Sequence, residues 1–85
     1  MKEFEYVVTD PVGIHARPAT LLTKLAGTFT SSITIGKGDR EVSAKKIIAV
    51  MSLGAKAGEK IVIKAEGEDE EKAAEALESF LKENL

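Results

Sequence analysis

The order of predicted strands and helices in this 85-residue chain indicates an α+β fold. Several stretches alternate apolar and polar side chains, as half-buried strands do. Two longer stretches repeat their apolar residues at helical spacing, and a shorter apolar run lies between them. The resulting order is β-α-β-β-α-β-α with hairpin-length links at the centre. It predicts one four-stranded antiparallel sheet, with three helices packed on one face and the other face solvated.

The first strand and the first helix are separated by a loop that contains Pro and Gly. Residues 2–8 alternate aromatic or aliphatic side chains with glutamates, which predicts a strand. Residues 9–13 break this pattern and are predicted as a turn or loop. A helix is expected from about Ala16, with Pro18 in its first turn. Gly27 is a plausible C-cap, so the helix is predicted to end there.

The other three strands are predicted from β-rich or alternating segments. Residues 32–35 are rich in β-branched side chains, and the glycine-containing segment 36–39 predicts a hairpin turn. A short strand containing Val42 follows that turn. In residues 61–66, apolar residues alternate with charged ones, which predicts the fourth strand.

The apolar run Lys46–Leu53 fits either a strand or a buried helix. A short helix is favoured, because Ser43 is available to cap its start and Gly54 to stop it. The residues alone leave both structures open.

The last helix is predicted to begin after Gly67, with Asp69 as its N-cap. The acidic residues around Asp69 favour that position, since the helix dipole attracts negative charge at its N-terminus. An apolar stripe at helical spacing would face the core, formed by Ala73, Ala74, Leu77, Phe80 and Leu81.

Length and composition predict a single domain over residues 1–85 in the cytoplasm. The chain is 44% hydrophobic, which is enough to fold, and its formal net charge is −2. This balance gives no general attraction to nucleic acid or to anionic membranes. The chain contains no cysteine, and no apolar run is long enough to span a membrane. We therefore expect neither nucleic-acid binding nor direct membrane insertion.

The only histidine, His15, is the most informative residue for function. It lies at or just before a helix N-terminus, where free N–H groups and the positive end of the helix dipole attract anions. Arg17 adds a permanently charged donor two residues away. Together these groups predict a site that holds a phosphoryl group. From these residues alone, a capping or surface role for His15 stays open. One histidine with scattered carboxylates predicts no metal site.

Two segments carry a resemblance to a known family, namely Gly13–Ala19 and Lys45–Gly54. With these motifs at the family's spacing, the whole chain resembles the histidine-containing phosphocarrier (HPr) family of the bacterial phosphoenolpyruvate-dependent sugar phosphotransferase system. The resemblance implies an open-faced β-sandwich, with residues 46–53 forming a helix.

The resemblance also implies a function and its residues. His15 would accept a phosphoryl group on Nδ1 from the phosphorylated first enzyme of the system and pass it to sugar-specific IIA-type transporter components. Arg17 would neutralise the phosphate, while the amides of Ala16 and Arg17 bind its oxygens beside Pro18. The chain would be a carrier and not an enzyme in the strict sense. It would need no cofactor and act as a monomer.

A partner-binding surface is implied as well, because the apolar residues of so short a second helix cannot all face the interior. The corresponding positions form an apolar patch with a basic rim, comprising Thr20, Lys24, Ile47, Ile48 and Met51. Lys45 and Lys46 are expected to help steer acidic partners to this patch.

Lys46 departs from the family pattern. Gram-positive members carry at this position a serine, phosphorylated by a dedicated kinase to control carbon catabolite repression. We predict that this regulation is absent here, because lysine cannot accept that phosphate. Two alternatives to sugar-branch transfer stay open. One is a phosphocarrier of the nitrogen-related branch, and the other is a binding module that lost the chemistry, although His15 and Arg17 argue against the latter.

Overall fold

A computed structural model describes all of residues 1–85 and contains the predicted elements in the predicted order. The strands are β1 (Lys2–Val7), β2 (Ser32–Lys37), β3 (Arg40–Ser43) and β4 (Lys60–Glu66). The helices are α1 (Ala16–Gly27), α2 (Ile47–Ser52) and α3 (Glu70–Asn84). The ambiguous run between β3 and β4 is therefore helical. No helix is both long and apolar enough to cross a membrane.

The four strands form one antiparallel sheet in the order β1-β4-β2-β3. Strand β4 lies between β1 and β2, so the connection from β1 through α1 to β2 passes over it as a split β-α-β arrangement. The hairpin between β2 and β3 turns through Gly38 and Asp39 alone. The predicted turn over residues 36–39 was therefore too long by two residues, because Gly36 and Lys37 still pair with β3.

All three helices cover one face of the sheet, and the core lies between them. On β4, Ile61, Ile63 and Ala65 are at most 1% exposed, and they lie in one cluster with buried side chains from every helix. The opposite face carries ion pairs, among them Lys64–Glu41 at 2.9 Å and Lys60–Glu5 at 3.3 Å. The predicted α+β architecture with one solvated sheet face is confirmed.

The expected cap at the start of α2 was wrong, while its expected end was right. Lys46, and not Ser43, is the N-cap residue, and it makes no side-chain capping bond. Ser43 ends β3, and its Oγ accepts the N–H of Lys45 at 3.2 Å in a local turn. At the other end, Gly54 adopts φ +61°, a conformation that glycine reaches easily and that stops a helix.

Asp69 is the N-cap residue of α3, as predicted, but its carboxylate does not cap the helix. It instead accepts the N–H groups of Thr30 and Ser31, both at 2.9 Å, and the Ser31 hydroxyl. These hydrogen bonds, that of the Ser31 hydroxyl foremost, lower the pKa of Asp69 to about 2. Asp69 thus fixes the α1–β2 loop against the start of α3.

The expected C-cap at Gly27 was misplaced by one residue. Gly27 is the last residue of α1, and Thr28 follows it as C-cap in a right-handed conformation. Both the N–H and the hydroxyl of Thr28 bond to the Leu25 carbonyl, at 3.0 and 2.7 Å. A threonine that satisfies this carbonyl twice ends the helix without a left-handed glycine.

Candidate functional site

His15 is the N-cap residue of α1, with an extended backbone at φ −110° and ψ −172°. Its side chain makes no capping hydrogen bond to the helix. The imidazole is half-buried and lines a shallow depression of about 190 Å³. The ring is thus held at the helix start while the helix N–H groups are left to other acceptors.

Two main-chain N–H groups stay free beside His15. The first amide that bonds within the helix is that of Ala19, which donates to the His15 carbonyl at 3.0 Å. Pro18 has no N–H to donate. The amides of Ala16 and Arg17 therefore lie at the positive end of the helix without an acceptor, and the first turn contains no acidic side chain.

The Arg17 side chain is exposed and takes part in none of the ion pairs of the protein. It lines the same depression as His15. A guanidinium without an internal partner can direct its donors to a bound anion, and it binds phosphate in two-point geometry. The helix end and Arg17 thus converge on one place with the chemistry of a phosphoryl site.

The loop before His15 is fixed by short contacts and not by a regular element. The Asp10 carboxylate accepts the N–H of Val12 at 2.8 Å, while its carbonyl accepts the N–H of Gly13 at 2.9 Å. Gly13 has φ +81° and lies so close to the Ala55 carbonyl that no Cβ would fit. The N–H of Ile14 donates to that same carbonyl at 2.9 Å, which places His15 next in the chain.

The other side of this loop is held by Leu85, the residue after α3. The main-chain oxygen of Leu85 accepts the N–H of Asp10 and the hydroxyl of Thr9, both at 2.8 Å. Leu85 itself is only 3% exposed. The His15 loop is therefore anchored on one side by the residues after α2 and on the other by the residue after α3.

The predicted phosphate-binding residues lie together, since Ala16, Arg17 and Pro18 are the first three residues of α1. Pro18 is buried, whereas Ala16 and Arg17 are exposed. Pro18 favours the helical geometry of the first turn, and it has no N–H to donate. No group of three or more His, Cys, Asp or Glu side chains is arranged to hold a metal ion.

The predicted partner-binding residues lie on α1 and α2, two helices that pack against each other. Ile48 is 77% exposed and Met51 38%, so two large apolar side chains of α2 lie at the surface. Thr20 and Lys24 are exposed on α1. Ile47 differs from the others, because it is partly buried against the core. Four of the five predicted side chains are therefore accessible to a partner.

The two lysines before α2 differ from each other. Lys46 is exposed, as a steering charge would be. Lys45 is partly buried, and its Nζ donates to the Phe29 carbonyl at 2.8 Å, just beyond the end of α1. A cation there also suits the negative end of the α1 dipole. Lys45 thus ties α1 to α2 and is less available to a partner than the sequence predicted.

Several residues near His15 were missed by the sequence reasoning. Leu21 and Asn84 line the depression, and Val12, in the preceding loop, is 68% exposed. Leu21 gave a signal, because it is apolar but outside the helical stripe of Leu22 and its partners, and it proves to be 44% exposed. Asn84 gave none, since it is distant in sequence and reaches the site only through the fold.

Comparison with known proteins decides the family. A family model described as the PTS HPr component phosphorylation site matches residues 2–83. The chain belongs to the HPr family. It is 45% identical to the phosphocarrier protein HPr of Mycoplasma genitalium over 85 residues, covering 99% of this chain and 97% of that protein.

Solved HPr structures agree with this assignment. The structure of a Mycoplasma histidine-containing phosphocarrier protein superimposes with a TM-score of 0.94 at 38% identity, covering 96% of this chain and 93% of that one. An HPr dimer from Thermoanaerobacter tengcongensis gives a TM-score of 0.78 at 40% identity, covering 98% and 95%. The protein is thus a phosphocarrier of the phosphotransferase system that works with the enzymes of that system, and it is not itself a catalytic enzyme.

Proposed function

We propose that His15 is the residue that carries the phosphoryl group. The observation that supports this best is the open N-terminus of α1, where His15 is followed by two amides without acceptors and by an unpaired Arg17. The phosphoryl group bonds to Nδ1 of the imidazole as its bond to the donor breaks. In the second step the bond to Nδ1 breaks as the acceptor takes the group.

In this proposal each neighbour of His15 stabilises the phosphoryl oxygens in a different way. The amides of Ala16 and Arg17 donate hydrogen bonds at the positive end of the helix. The guanidinium of Arg17 neutralises negative charge and needs no rearrangement of an existing ion pair to do so. Pro18 holds the first turn in helical geometry. Because Ala16 and Arg17 are exposed, the bound phosphoryl group stays accessible to an acceptor.

We propose that the donor is the phosphorylated first enzyme of the system and that the acceptors are sugar-specific IIA-type components. Both would dock on the exposed side chains of α1 and α2 around His15, which comprise Thr20, Lys24, Ile48 and Met51 with the edge of Ile47. Methionine suits a surface that meets more than one partner, because its flexible side chain repacks easily.

We further propose that residues 1–85 act as a single phosphocarrier domain, as a monomer in the cytoplasm. One continuous core supports the single domain, and both His15 and Arg17 are accessible in one chain without a second copy. Since an HPr dimer is known from Thermoanaerobacter tengcongensis, light scattering of the phosphorylated and unphosphorylated protein is the direct test of the monomer.

The test of the carrier site is phosphorylation by phosphoenolpyruvate, magnesium and the first enzyme, followed by intact mass and phosphorus NMR. One acid-labile phosphoryl group on Nδ1 of His15 is expected, and none in His15→Ala. Arg17→Ala should slow transfer by roughly tenfold, because it removes one charged donor. A folded His15→Ala variant that is still phosphorylated, or an Arg17→Ala variant with unchanged rates, would contradict the proposal.

The sugar branch and the nitrogen-related branch are separated by a second experiment. The phosphorylated protein is mixed with IIA-type acceptors of each branch, and the loss of its phosphoryl group is followed over time. Faster transfer to the sugar-specific acceptors is expected. Preference for the nitrogen-related acceptors would reassign the partners and leave the carrier chemistry unchanged.

A further inference from the structure

The end of α2 is held by an arginine of the neighbouring β-hairpin. Arg40, at the start of β3, donates from Nη1 to the Ser52 carbonyl at 2.8 Å and from Nη2 to the Ser52 hydroxyl oxygen at 3.1 Å. The Ser52 hydroxyl in turn donates to the Ala49 carbonyl at 2.6 Å. Both hydrogen bonds of Arg40 thus go to the last residue of a helix only six residues long.

A second cation of the same hairpin holds the residues that follow α2. Lys37, the last residue of β2, donates from Nζ to the Gly54 carbonyl at 3.3 Å and pairs with Glu59, also at 3.3 Å. The Glu59 carboxylate accepts the N–H of Lys56 at 2.7 Å. Lys37 and Arg40 flank the Gly38–Asp39 turn, so one hairpin tip fixes carbonyls on both sides of Leu53.

This segment leads directly to the carrier loop. Ala55 lies three residues after Ser52, and its carbonyl accepts the N–H of Ile14, the residue before His15. The same carbonyl lies in close contact with Gly13. Ala55 and Ile14 are both buried, at 3% and 6% exposure. The terminal carbonyls of a helix have no partner within it, and cations near that end stabilise it. An end of α2 that loosened would therefore carry the Ala55 carbonyl with it.

We propose that Arg40 is a positioning residue for phosphoryl transfer, which acts by fixing the end of α2 and thereby the Ala55 carbonyl on which the His15 loop is seated. This inference rests on the proposed role of His15. Arg40 itself does not touch the phosphoryl group in this account. It differs from Arg17, because its guanidinium is already bound to Ser52 and is not free for an anion.

The role predicts a particular pattern in the kinetics. Positioning of His15 affects the rate of transfer within the bound pair, whereas docking affects the concentration of partner that is needed. Arg40→Ala should therefore lower kcat for phosphorylation by about fivefold, with little change in KM. This loss of rate is smaller than the loss expected if His15 were displaced by about 1 Å. Hydrogen exchange at the Ile14 amide should become faster in the unphosphorylated protein.

Arg40→Lys and Lys60→Ala are the matched variants. Arg40→Lys keeps the charge but cannot bind Ser52 at two points, so it should restore the rate and the Ile14 protection only in part. Lys60→Ala removes the same charge from the sheet surface, where Lys60 pairs with Glu5, and should change neither quantity. Ser52→Ala leaves the Ser52 carbonyl in place and should have a smaller effect than Arg40→Ala.

The two readouts separate failure of this inference from failure of the carrier site. Unchanged kcat and unchanged Ile14 exchange in Arg40→Ala would overturn the positioning role, as would a raised KM with full rescue by Arg40→Lys, which would make Arg40 a docking charge. Absence of phosphorylation at His15 in the parent protein would instead overturn the proposed function, whatever the Ile14 amide does.

Discussion

The N-termini of α1 and α3 differ in the charge of their first turns. Each helix begins with N–H groups that have no partner within the helix. At α3, Glu70 and Glu71 place negative charge in the first turn, and the Glu70 carboxylate accepts the N–H of Gly67, which lies before the helix, at 3.1 Å. At α1 no carboxylate is present in the first turn, and neither helix has a side-chain cap. The helix start beside His15, the proposed carrier residue, is therefore the one of the two without acidic charge.

The two ends are also held in place differently. The start of α3 is fixed partly by acidic side chains of its own first residues, among them Asp69 bound to Thr30 and Ser31. The start of α1 is fixed from outside, by the contact of Gly13 and Ile14 with Ala55. Because tertiary contacts hold the loop, the amides need no internal cap to stay ordered. They can therefore be left for a phosphoryl group.

The most direct test of this difference in charge is to give α1 an acidic residue in its first turn, as α3 has. Ala16→Glu places a carboxylate at the exposed first position of α1, where the dipole favours it. That carboxylate repels the incoming phosphoryl group and competes for its donors. We expect phosphorylation to slow by at least roughly tenfold, since about 1.4 kcal/mol of repulsion suffices for that factor. Initial rates of phosphorylation by the first enzyme measure the effect.

The control for Ala16→Glu is a glutamate at an exposed position on α3. Ser79→Glu makes the same change in net charge far along that helix from its N-terminus. It should leave the phosphorylation rate within a factor of about two. If both variants slow phosphorylation equally, the change in net charge causes the loss of rate. Competition between the new carboxylate and the phosphoryl group at the helix end would then not be the cause.

A second variant tests how the open end is held. Gly13→Ala requires a side chain at φ +81° and a Cβ in contact with the Ala55 carbonyl. We expect a loss of about 1–3 kcal/mol in the free energy of unfolding together with slower phosphorylation, because the loop before His15 must move. Denaturant melts and phosphorylation rates measure the two effects.

Gly27→Ala is the matched control for Gly13→Ala. Gly27 lies within α1, has no positive φ, and leaves open space around an added Cβ. Alanine there should be neutral or stabilise the protein by up to about 1 kcal/mol, with an unchanged phosphorylation rate. A similar loss of stability in both variants would refute the claim that Gly13 is needed for close approach to Ala55.

The contact of Asp69 with the α1–β2 loop should appear as a dependence of stability on pH. The pKa of Asp69 is lowered from 3.8 to about 2 in the folded protein by its hydrogen bonds to Ser31 and Thr30. The stability that this carboxylate contributes is therefore fully present above about pH 4 and is lost as the pH falls through about 2. Asp69→Asn should lower Tm at pH 7, with a difference from the parent protein that shrinks toward pH 2.

Glu68→Gln is the control for Asp69→Asn, because Glu68 is exposed and takes part in none of the ion pairs. It should leave the parent Tm nearly unchanged across the same pH range. Phosphorylation should be normal in both variants, since the start of α3 is not part of the proposed carrier site. A Tm difference for Asp69→Asn that is constant from pH 7 to pH 2 would contradict the role of its charge.

The sequence predicted positions along the chain better than it predicted what each side chain does there. Sequence patterns located six of the seven elements, while α2 was identified as a helix through the family resemblance, and the Gly-Ile-His-Ala-Arg-Pro segment located the open helix end. Asp69 was correctly expected to begin α3, but its carboxylate binds the α1–β2 loop instead. A local pattern favours capping by such a residue, whereas a partner 38 residues away is decided by the folded topology.

The same limit applied around the carrier site. His15 and Arg17 are near neighbours in the sequence, so their proximity at the helix start could be predicted from local structure. The contact of the His15 loop with Ala55 could not be predicted in this way, because it joins residues about 40 positions apart through the packing of α2. The bond of Lys45 to Phe29 was missed for a similar reason, since the charge of a lysine before a helix indicates exposure and not contact.

The start of α2 extends the comparison of helix starts, and the smallest effect is expected there. It is open like the start of α1, but its N-cap residue is a cation. Lys46 is an exposed N-cap residue without a capping bond, and lysine is unfavourable at the positive end of a helix. Lys46→Ser supplies a capping hydroxyl and removes the charge. We expect it to raise the free energy of unfolding by about 0.5–1 kcal/mol, measured by denaturant melts.

Lys46→Ala separates the two causes of the expected gain in stability, which are the loss of the cation and the addition of a capping hydroxyl. It removes the same cation without adding a cap, so its stability should lie between those of the parent protein and Lys46→Ser. If alanine stabilises as much as serine, the gain comes from the dipole alone and an open amide at α2 carries no penalty. A further gain with serine would mean that free helix amides cost stability wherever no ligand uses them. The open end of α1 would then be a cost that the protein bears for its phosphoryl group.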